Sequence, residues 1–472
     1  MLFKKNLTLD AFIIAIFLGA LDIGVLAPAL TVIALDLAIS IRTVFLVIAL
    51  HLAVFVLALP IMEAWGAKAG KKGWFLTSLL VYALGSLIAG DSHTLFALIV
   101  GRLIQAMAAG GIVPVLSVEL GRMLKWKGRT WRWAVLGILA ALLILTPFIS
   151  STLTWYFNWR WLFWINIPAV LIVFLFSFRF RPTGRLRSPT HDIQGVMYFG
   201  AILLSMMIAV AQFNPSKGWG ALVDPSFLPF AIVSLGLGVL MMMVEKDSEY
   251  PFFPLQLFTD KRLILLNSVM ILSGITWAAI VLIPGWMAEI HQRPPGTGGL
   301  FLTLVACAAW LAIPMAQRVS IHWGYRGVLM IGFLASAVSY FTLAFALDAI
   351  ALTVVLVVLG FGVGFSLIAP VHELLFEVIS YRQMKKGVMA IGMVRAGGTA
   401  LGLIAMGLSF FSSTPVITAS VMMDNVGLPQ IWKHGYQMGM LIAASVSVAG
   451  FILAACLPSP RKESAKEKNG SN

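Results

Sequence analysis

Apolar residues in this chain run in unbroken stretches, neither alternating nor confined to one helical face. About fourteen stretches, each roughly 18–25 residues long, follow one another from residue 11 to residue 457. A helix of that length crosses a hydrocarbon layer ~30 Å thick. A stretch that is apolar on every side has no face to show to water, so the pattern predicts an all-α integral membrane protein. The spans fall near 11–34, 43–65, 73–90, 95–120, 132–155, 161–178, 192–212, 225–244, 263–288, 297–316, 327–347, 351–376, 387–410 and 435–457. The longest connections, near 411–434 and 245–262, hold about 20 residues, so no soluble domain is expected between spans.

Charge refines this picture. The net charge is +14, which in a water-soluble chain would suggest nucleic acid. With the N-terminus cytoplasmic, however, the inner segments hold 26 of the 33 Lys and Arg residues and the outer segments five (Arg42, Arg160, Lys217, Arg293, Lys433), with Arg102 and Arg395 inside spans. That bias orients a membrane protein with both termini cytoplasmic and excludes a nucleic-acid partner. Lys4 and Lys5 precede an apolar run that reaches Leu35, too long for a signal peptide, so it is read as a retained first span. No N-x-S/T site falls on the outer side, which points to a bacterial cell membrane. The tail at 461–472 is charged and expected to be disordered. Cys307 and Cys456 both lie in spans and are expected to pack rather than pair. Trp131, Trp133, Trp155, Trp159, Trp161 and Trp164 cluster at span ends, as an interfacial belt requires.

The chain also resembles itself. Leu57-Ala-Leu-Pro60 and Leu311-Ala-Ile-Pro314 lie 254 residues apart, and at that offset Gly70 meets Gly324, Lys72 meets Arg326 and Gly73 meets Gly327. At an offset of 256, Pro28 meets Pro284 and Pro114 meets Pro370. The pattern predicts two six-helix halves of like direction, 1–185 and 251–460, separated by a two-helix insert at 186–250. Parallel repeats of this kind build secondary transporters, with the substrate path between the halves. Gly360/Gly364, Gly398/Gly402 and Gly435/Gly439 are expected to permit close helix packing.

Five segments carry a family resemblance: Leu21-Asp-Ile-Gly-Val-Leu-Ala-Pro-Ala-Leu30, Gly101-Arg-Leu-Ile-Gln-Ala-Met-Ala-Ala-Gly110, Asn158-Trp-Arg-Trp-Leu-Phe-Trp-Ile-Asn-Ile-Pro168, Pro254-Leu-Gln-Leu-Phe258 and Arg395-Ala-Gly-Gly-Thr-Ala-Leu-Gly402. In order and position they resemble the fourteen-span drug:proton antiporter branch of the major facilitator superfamily. Two segments depart from it. Where that branch reads GxLADRxGRR, this chain has Glu63-Ala-Trp-Gly-Ala-Lys-Ala-Gly-Lys-Lys72, with Glu63 for the first Gly and Ala67 for the Asp that latches the inner gate. Where it reads GPxxGG, this chain has Thr146-Pro-Phe-Ile-Ser-Ser151 and keeps only the proline.

Charges at mid-membrane cost roughly 2.5–3.5 kcal/mol each and so need a reason. Asp22 in span one and Arg102, about 10 Å deep in span four, are close enough to meet if the spans are neighbours, as the resemblance implies. Their pair would serve either as a proton carrier or as a fixed structural ion pair. Gln105, one turn on, joins them as a pathway candidate through the same motif. Arg395 either bonds carbonyls at a helix break or attracts an anionic substrate. His51 either titrates or packs through a hydrogen bond. Glu63, Glu119, Glu373 and Glu377 at inner helix ends are gate contacts to the basic loops or solvated caps; Gly70, Lys72, Gly324 and Arg326 form the paired loops. Bulky residues at Gly70 or Gly324 are expected to clash with the adjoining helix.

No Walker loop, HExxH, CxxC or GxSxG occurs, which leaves no enzymatic motif and no cofactor or metal set. The sequence therefore predicts a monomeric transporter, driven by the proton gradient, that exports amphipathic small molecules through the bilayer. A uniporter or a lipid or metabolite transporter of the same fold stands as the alternative.

Overall fold

The computed structural model describes residues 26–126, 129–177, 193–248, 251–290, 294, 296–345, 349–410 and 428–458. Among them every regular element is helical. Among the described residues ten helices are long and apolar enough to cross a membrane, and Leu26–Asp36, Ala140–Tyr156 and Trp161–Ser177 are shorter apolar helices. Helices are forced by the composition: within hydrocarbon every backbone N–H and C=O must be satisfied inside the segment.

The helix ends are set by local chemistry. Ser40 Oγ accepts from the Thr43 N–H at 3.1 Å and opens helix Ile41–Ala69. Asp260 caps Lys261–Ala278 in the same way, accepting from the Arg262 N–H at 2.8 Å. Gly70 alone separates Ile41–Ala69 from Lys71–Gly90, at φ 90 and ψ 129. The helical run Gly299–Leu343 likewise turns at one residue, Gly324, at φ 59 and ψ −167. Both glycines hold a positive φ that an L-residue adopts only at a cost of roughly 1–2 kcal/mol. The expected clash is corrected at Gly70: a Cβ placed there would meet nothing within 4 Å, so the backbone angle, not crowding, demands glycine.

Other glycines bring backbones together. A Cβ at Gly101 would lie 2.6 Å from the Ala89 nitrogen, and one at Gly85 2.9 Å from the Gly101 carbonyl, which seats helix 71–90 against helix Leu95–Trp126. Gly398 and Gly402 meet the backbone of Ile271 and Ile275, and Gly360 and Gly364 that of Val305 and Ala309. Gly435 and Gly439 instead meet side chains, Phe410 and Leu282. Helix 41–69 is the most interior, with 61% of its apolar window buried; helix Leu228–Asp247 is the most peripheral, at 17%. Cys307 is half-buried and Cys456 exposed, so only the former packs within the bundle.

Two long-range contacts join distant parts of the chain. Helix 41–69 lies along helix Met384–Leu408, with Gly407 beside Phe45 at one end and Glu63 beside Lys385 at the other. Helix Arg129–Tyr156 packs on helix 299–343, where Ser151 Oγ accepts from the Gly299 N–H at 2.7 Å.

Candidate transport path

The close approach at Gly85 and Gly101 assembles a buried polar chain. Arg102 Nη1 donates to Gln105 Oε1 at 3.1 Å, Gln105 Nε2 donates to Ser86 Oγ at 2.8 Å, and Ser86 Oγ donates to the Tyr82 carbonyl at 2.9 Å. Arg102 is 2% exposed and Gln105 and Ser86 are fully buried. The guanidinium also lies 5.7 Å from the centre of the Phe163 ring, within cation–π range. His51 reaches the same residue from helix 41–69: its Nδ1 lies 2.8 Å from the Arg102 carbonyl, and since a carbonyl only accepts, Nδ1 carries the proton. Asp22 lies outside the described residues, as does the side chain of Glu119, so neither is placed.

Arg395, on helix 384–408, has different company. Its Nη1 donates to the Leu367 carbonyl at 3.3 Å, Nη2 lies 2.9 Å from Met270 Sδ, and the guanidinium stacks 5.2 Å from the Trp277 ring centre. Helix Ala349–Ile368 breaks just beyond Leu367, ahead of Pro370. The Val371 N–H, which would have capped the Leu367 carbonyl in an unbroken helix, turns to Ala369 instead. Arg395 thus donates to a carbonyl at a helix break. Trp277 Nε1 donates to Ser366 Oγ at 2.9 Å, which fixes the stacked indole.

Ionic contacts lie at both ends of the bundle. At the Gly70 end, Lys385 Nζ reaches Glu63 Oε1 at 3.2 Å, Arg262 reaches Glu377 at 3.7 Å and Lys386 donates to the Pro251 carbonyl at 2.7 Å. Lys72, Arg326 and Glu373 are half-buried at this end. Asp260 beside this cluster is held below the usual carboxylate range, chiefly by its hydrogen bond from Arg262. At the opposite end Arg160 Nη1 meets Asp36 Oδ2 at 2.8 Å, Arg160 Nη2 donates to the Ser92 carbonyl at 2.9 Å, and Trp159 Nε1 donates to the same Asp36 oxygen at 3.0 Å. Trp159 is 1% exposed, which corrects its placement in the interfacial belt: its indole ties Leu26–Asp36 to the 158–164 turn. In the loop at 213–227, Asp224 takes hydrogen bonds from Lys217 and Ser226, which hold its carboxyl well below the ordinary range.

Sequence reasoning missed Asp36, Ser86 and Ser151 as site-forming residues. Asp36 and Trp159-Arg160 were each visible as polar residues at span ends, but nothing in the sequence paired them. Among the described residues no three of His, Cys, Asp and Glu gather to hold a metal.

Comparison with known proteins bears on what kind of helical bundle this is. A family model described as Major Facilitator Superfamily matches residues 12–260. The chain is 25% identical over 435 residues to a Multidrug resistance protein B homolog of Mycobacterium tuberculosis, covering 84% of this chain and 79% of that one. It is 23% identical to the Multidrug efflux pump SdrM of Staphylococcus aureus, covering 91% and 96%. In fold it is similar to the crystal structure of the nucleoside transporter NupG, with a TM-score of 0.65 at 15% identity over 97% of this chain and 99% of that one. The matched model spans more than half of the chain, and the chain therefore belongs to the Major Facilitator Superfamily as a multi-pass membrane transporter, not an enzyme.

Proposed function

We propose that this transporter exports amphipathic small molecules, driven by the proton gradient across a bacterial cell membrane. It does so as a monomer of fourteen spans: halves 1–185 and 251–460 around the insert 186–250, with both termini cytoplasmic. The observation that carries the reading is the buried Arg102–Gln105–Ser86 chain. A desolvated guanidinium with a side-chain partner that can itself shift is the setting in which a nearby carboxylate changes its proton affinity. Asp22 is the carboxylate assigned to that role.

Three features support the reading. Relatives covering most of the chain are named for multidrug resistance and efflux. Gly70 and Gly324 share an uncommon backbone angle at the repeat offset. The packed pairs 41–69 with 384–408 and 129–156 with 299–343 exchange under that offset, as a two-fold relation between halves requires. Glu63 and Lys385 join the two halves at the cytoplasmic end, and we assign them the latch that the missing loop Asp leaves vacant.

The test is accumulation of a panel of amphipathic dyes in an exporter-deficient host, with and without an uncoupler. Wild-type chain should lower accumulation only while the gradient stands. Asp22→Asn should abolish uphill export yet leave downhill exchange, because the amide imitates the protonated acid. A well-folded Asp22→Asn protein that still concentrates dye against its gradient would sink the proton-carrier role, and gradient-independent flux in the wild type would favour a uniporter.

A further inference from the structure

Arg395 carries a charge inside the bundle that no carboxylate among the described residues answers. A guanidinium has five N–H donors. Here one goes to the Leu367 carbonyl and one to a thioether, a weak acceptor, while Nε is sealed from solvent and has no acceptor. A cation taken out of water without a counter-anion is the costly case, and the indole face of Trp277 offsets only part of it.

The same arginine can be reached from the Gly70 end. On helix 384–408, Lys385 and Val388 are 82% and 47% exposed, Gly392 is exposed, and Arg395 is half-buried. At 100° per residue, Val388, Gly392 and Arg395 fall within about 60° of one another and span about 10 Å along the axis. They form one open face, and a Cβ at Gly392 would meet nothing within 4 Å. Other faces of this helix are occupied. Gly398 and Gly402 meet helix 261–278 on one flank, and Gly407 meets helix 41–69 on the other. Gly397, about half a turn from the open face, looks toward Phe199 and Leu203 of the insert helix Ile193–Gln212. The open face therefore points away from the peripheral insert, into the space between helices 41–69 and 261–278. It ends at Arg395, since Leu403, Met406 and Gly407 beyond are buried. Nη1 is the nitrogen that reaches the rim, because Leu367 is 48% exposed. Held by a helix break and by an indole that Ser366 fixes, the guanidinium is placed in advance of any ligand.

We propose that Arg395 receives the carboxylate of an amphipathic monoanion, which enters along this face from the Gly70 end and pairs through Nη1. The apolar body lies beside Val388, Gly392 and Leu367. One guanidinium suits one negative charge; the next cation along this face, Lys385, lies about 15 Å away by helical rise. The inference rests on the export reading for the direction of passage, and names a substrate class for it.

The test is isothermal titration calorimetry on the full-length protein in detergent, with protein-free micelles as the blank. The ligands are 2-naphthylacetate, biphenyl-4-acetate and octanoate, each against its own primary amide, at about pH 7.5 where the acids are ionised. At least one carboxylate should bind about tenfold or more tightly than its amide, the ratio a charge-assisted hydrogen bond gives. Arg395→Met should bring that carboxylate down to the level of the amide. Gly392→Trp, which fills the open face one turn before Arg395, should weaken both ligands about tenfold or more. If Arg395→Met does not fold, the wild-type ratio and Gly392→Trp decide. Equal affinity of acid and amide in every pair, no binding by any of them, or a preference that survives Arg395→Met overturns the site. Binding needs neither a gradient nor Asp22. A carboxylate preference without uphill export would thus sink the export reading and leave this site standing, and gradient-driven dye export without the preference would do the reverse.

Discussion

The two arginines inside the bundle, Arg102 and Arg395, face the same problem and meet it differently. Arg102 is held by side chains: Gln105, itself held by Ser86 from the next helix. Arg395 is held by what a broken helix leaves over, a carbonyl, together with a thioether and an indole face. A side-chain acceptor changes rotamer at little cost, whereas the Leu367 carbonyl moves only with its helix. The first arrangement can respond to a change of charge nearby; the second locks one helix onto the break in another.

This difference can be broken or sharpened by experiment. Arg102→Met should have the largest effect: it strands the buried Gln105 Oε1, costing about 1–3 kcal/mol, and removes the cation–π contact with Phe163, about 0.5–2 kcal/mol more. The unfolding midpoint in detergent should drop by several degrees, with export lost. Stability equal to wild type would show that the chain carries no load. Arg395→Met should cost less, about 0.5–1.5 kcal/mol, the net worth of one hydrogen bond to a carbonyl of an exposed residue. A larger loss than that of Arg102→Met would reverse the ranking. Trp277→Leu, which removes the stacked face and the Nε1 donor to Ser366, should cost about 0.5–2 kcal/mol in the same assay.

Smaller effects belong to the ends of the bundle. Lys385 is 82% exposed, so Glu63→Gln should change stability by less than about 1 kcal/mol. If the pair is a latch, dye efflux rates should shift far more than that, and a variant unchanged in both would leave it an ordinary surface contact. The loop at 213–227 offers a pH test. Because Asp224 is held below the ordinary carboxylate range, its contribution is complete above roughly pH 4 and fades as pH falls through its lowered value. Hydrogen exchange in this loop, corrected for intrinsic rates, should stay protected from pH 7 to about 4 and rise only below, while Asp224→Asn should lack that step.

How much of this was legible in the sequence depends on range. The helices, the tight glycine turns and the buried positions of Arg102 and His51 follow from local composition, because an apolar run in a membrane has few choices. The partners do not. Asp36 and Arg160 are 124 residues apart, and Glu63 and Lys385 are 322 apart; no local period encodes such pairs. Ser151 is the instructive case. Read as erosion of a glycine motif, it supplies the hydroxyl that receives the Gly299 N–H at the first turn of a distant helix. Loss of a family residue and gain of a contact look identical until the neighbour is known.

The single-residue turns at Gly70 and Gly324 have a mechanical consequence. One residue spans at most ~3.6 Å, so each pair of helices has almost no slack between its members. Such a pair transmits force as a stiff hairpin, and any rocking of one helix must carry the other with it. Length variation in this chain should therefore be tolerated at the 213–227 loop and rejected at these two points, where a single inserted residue would shift a whole helix out of register with its neighbours.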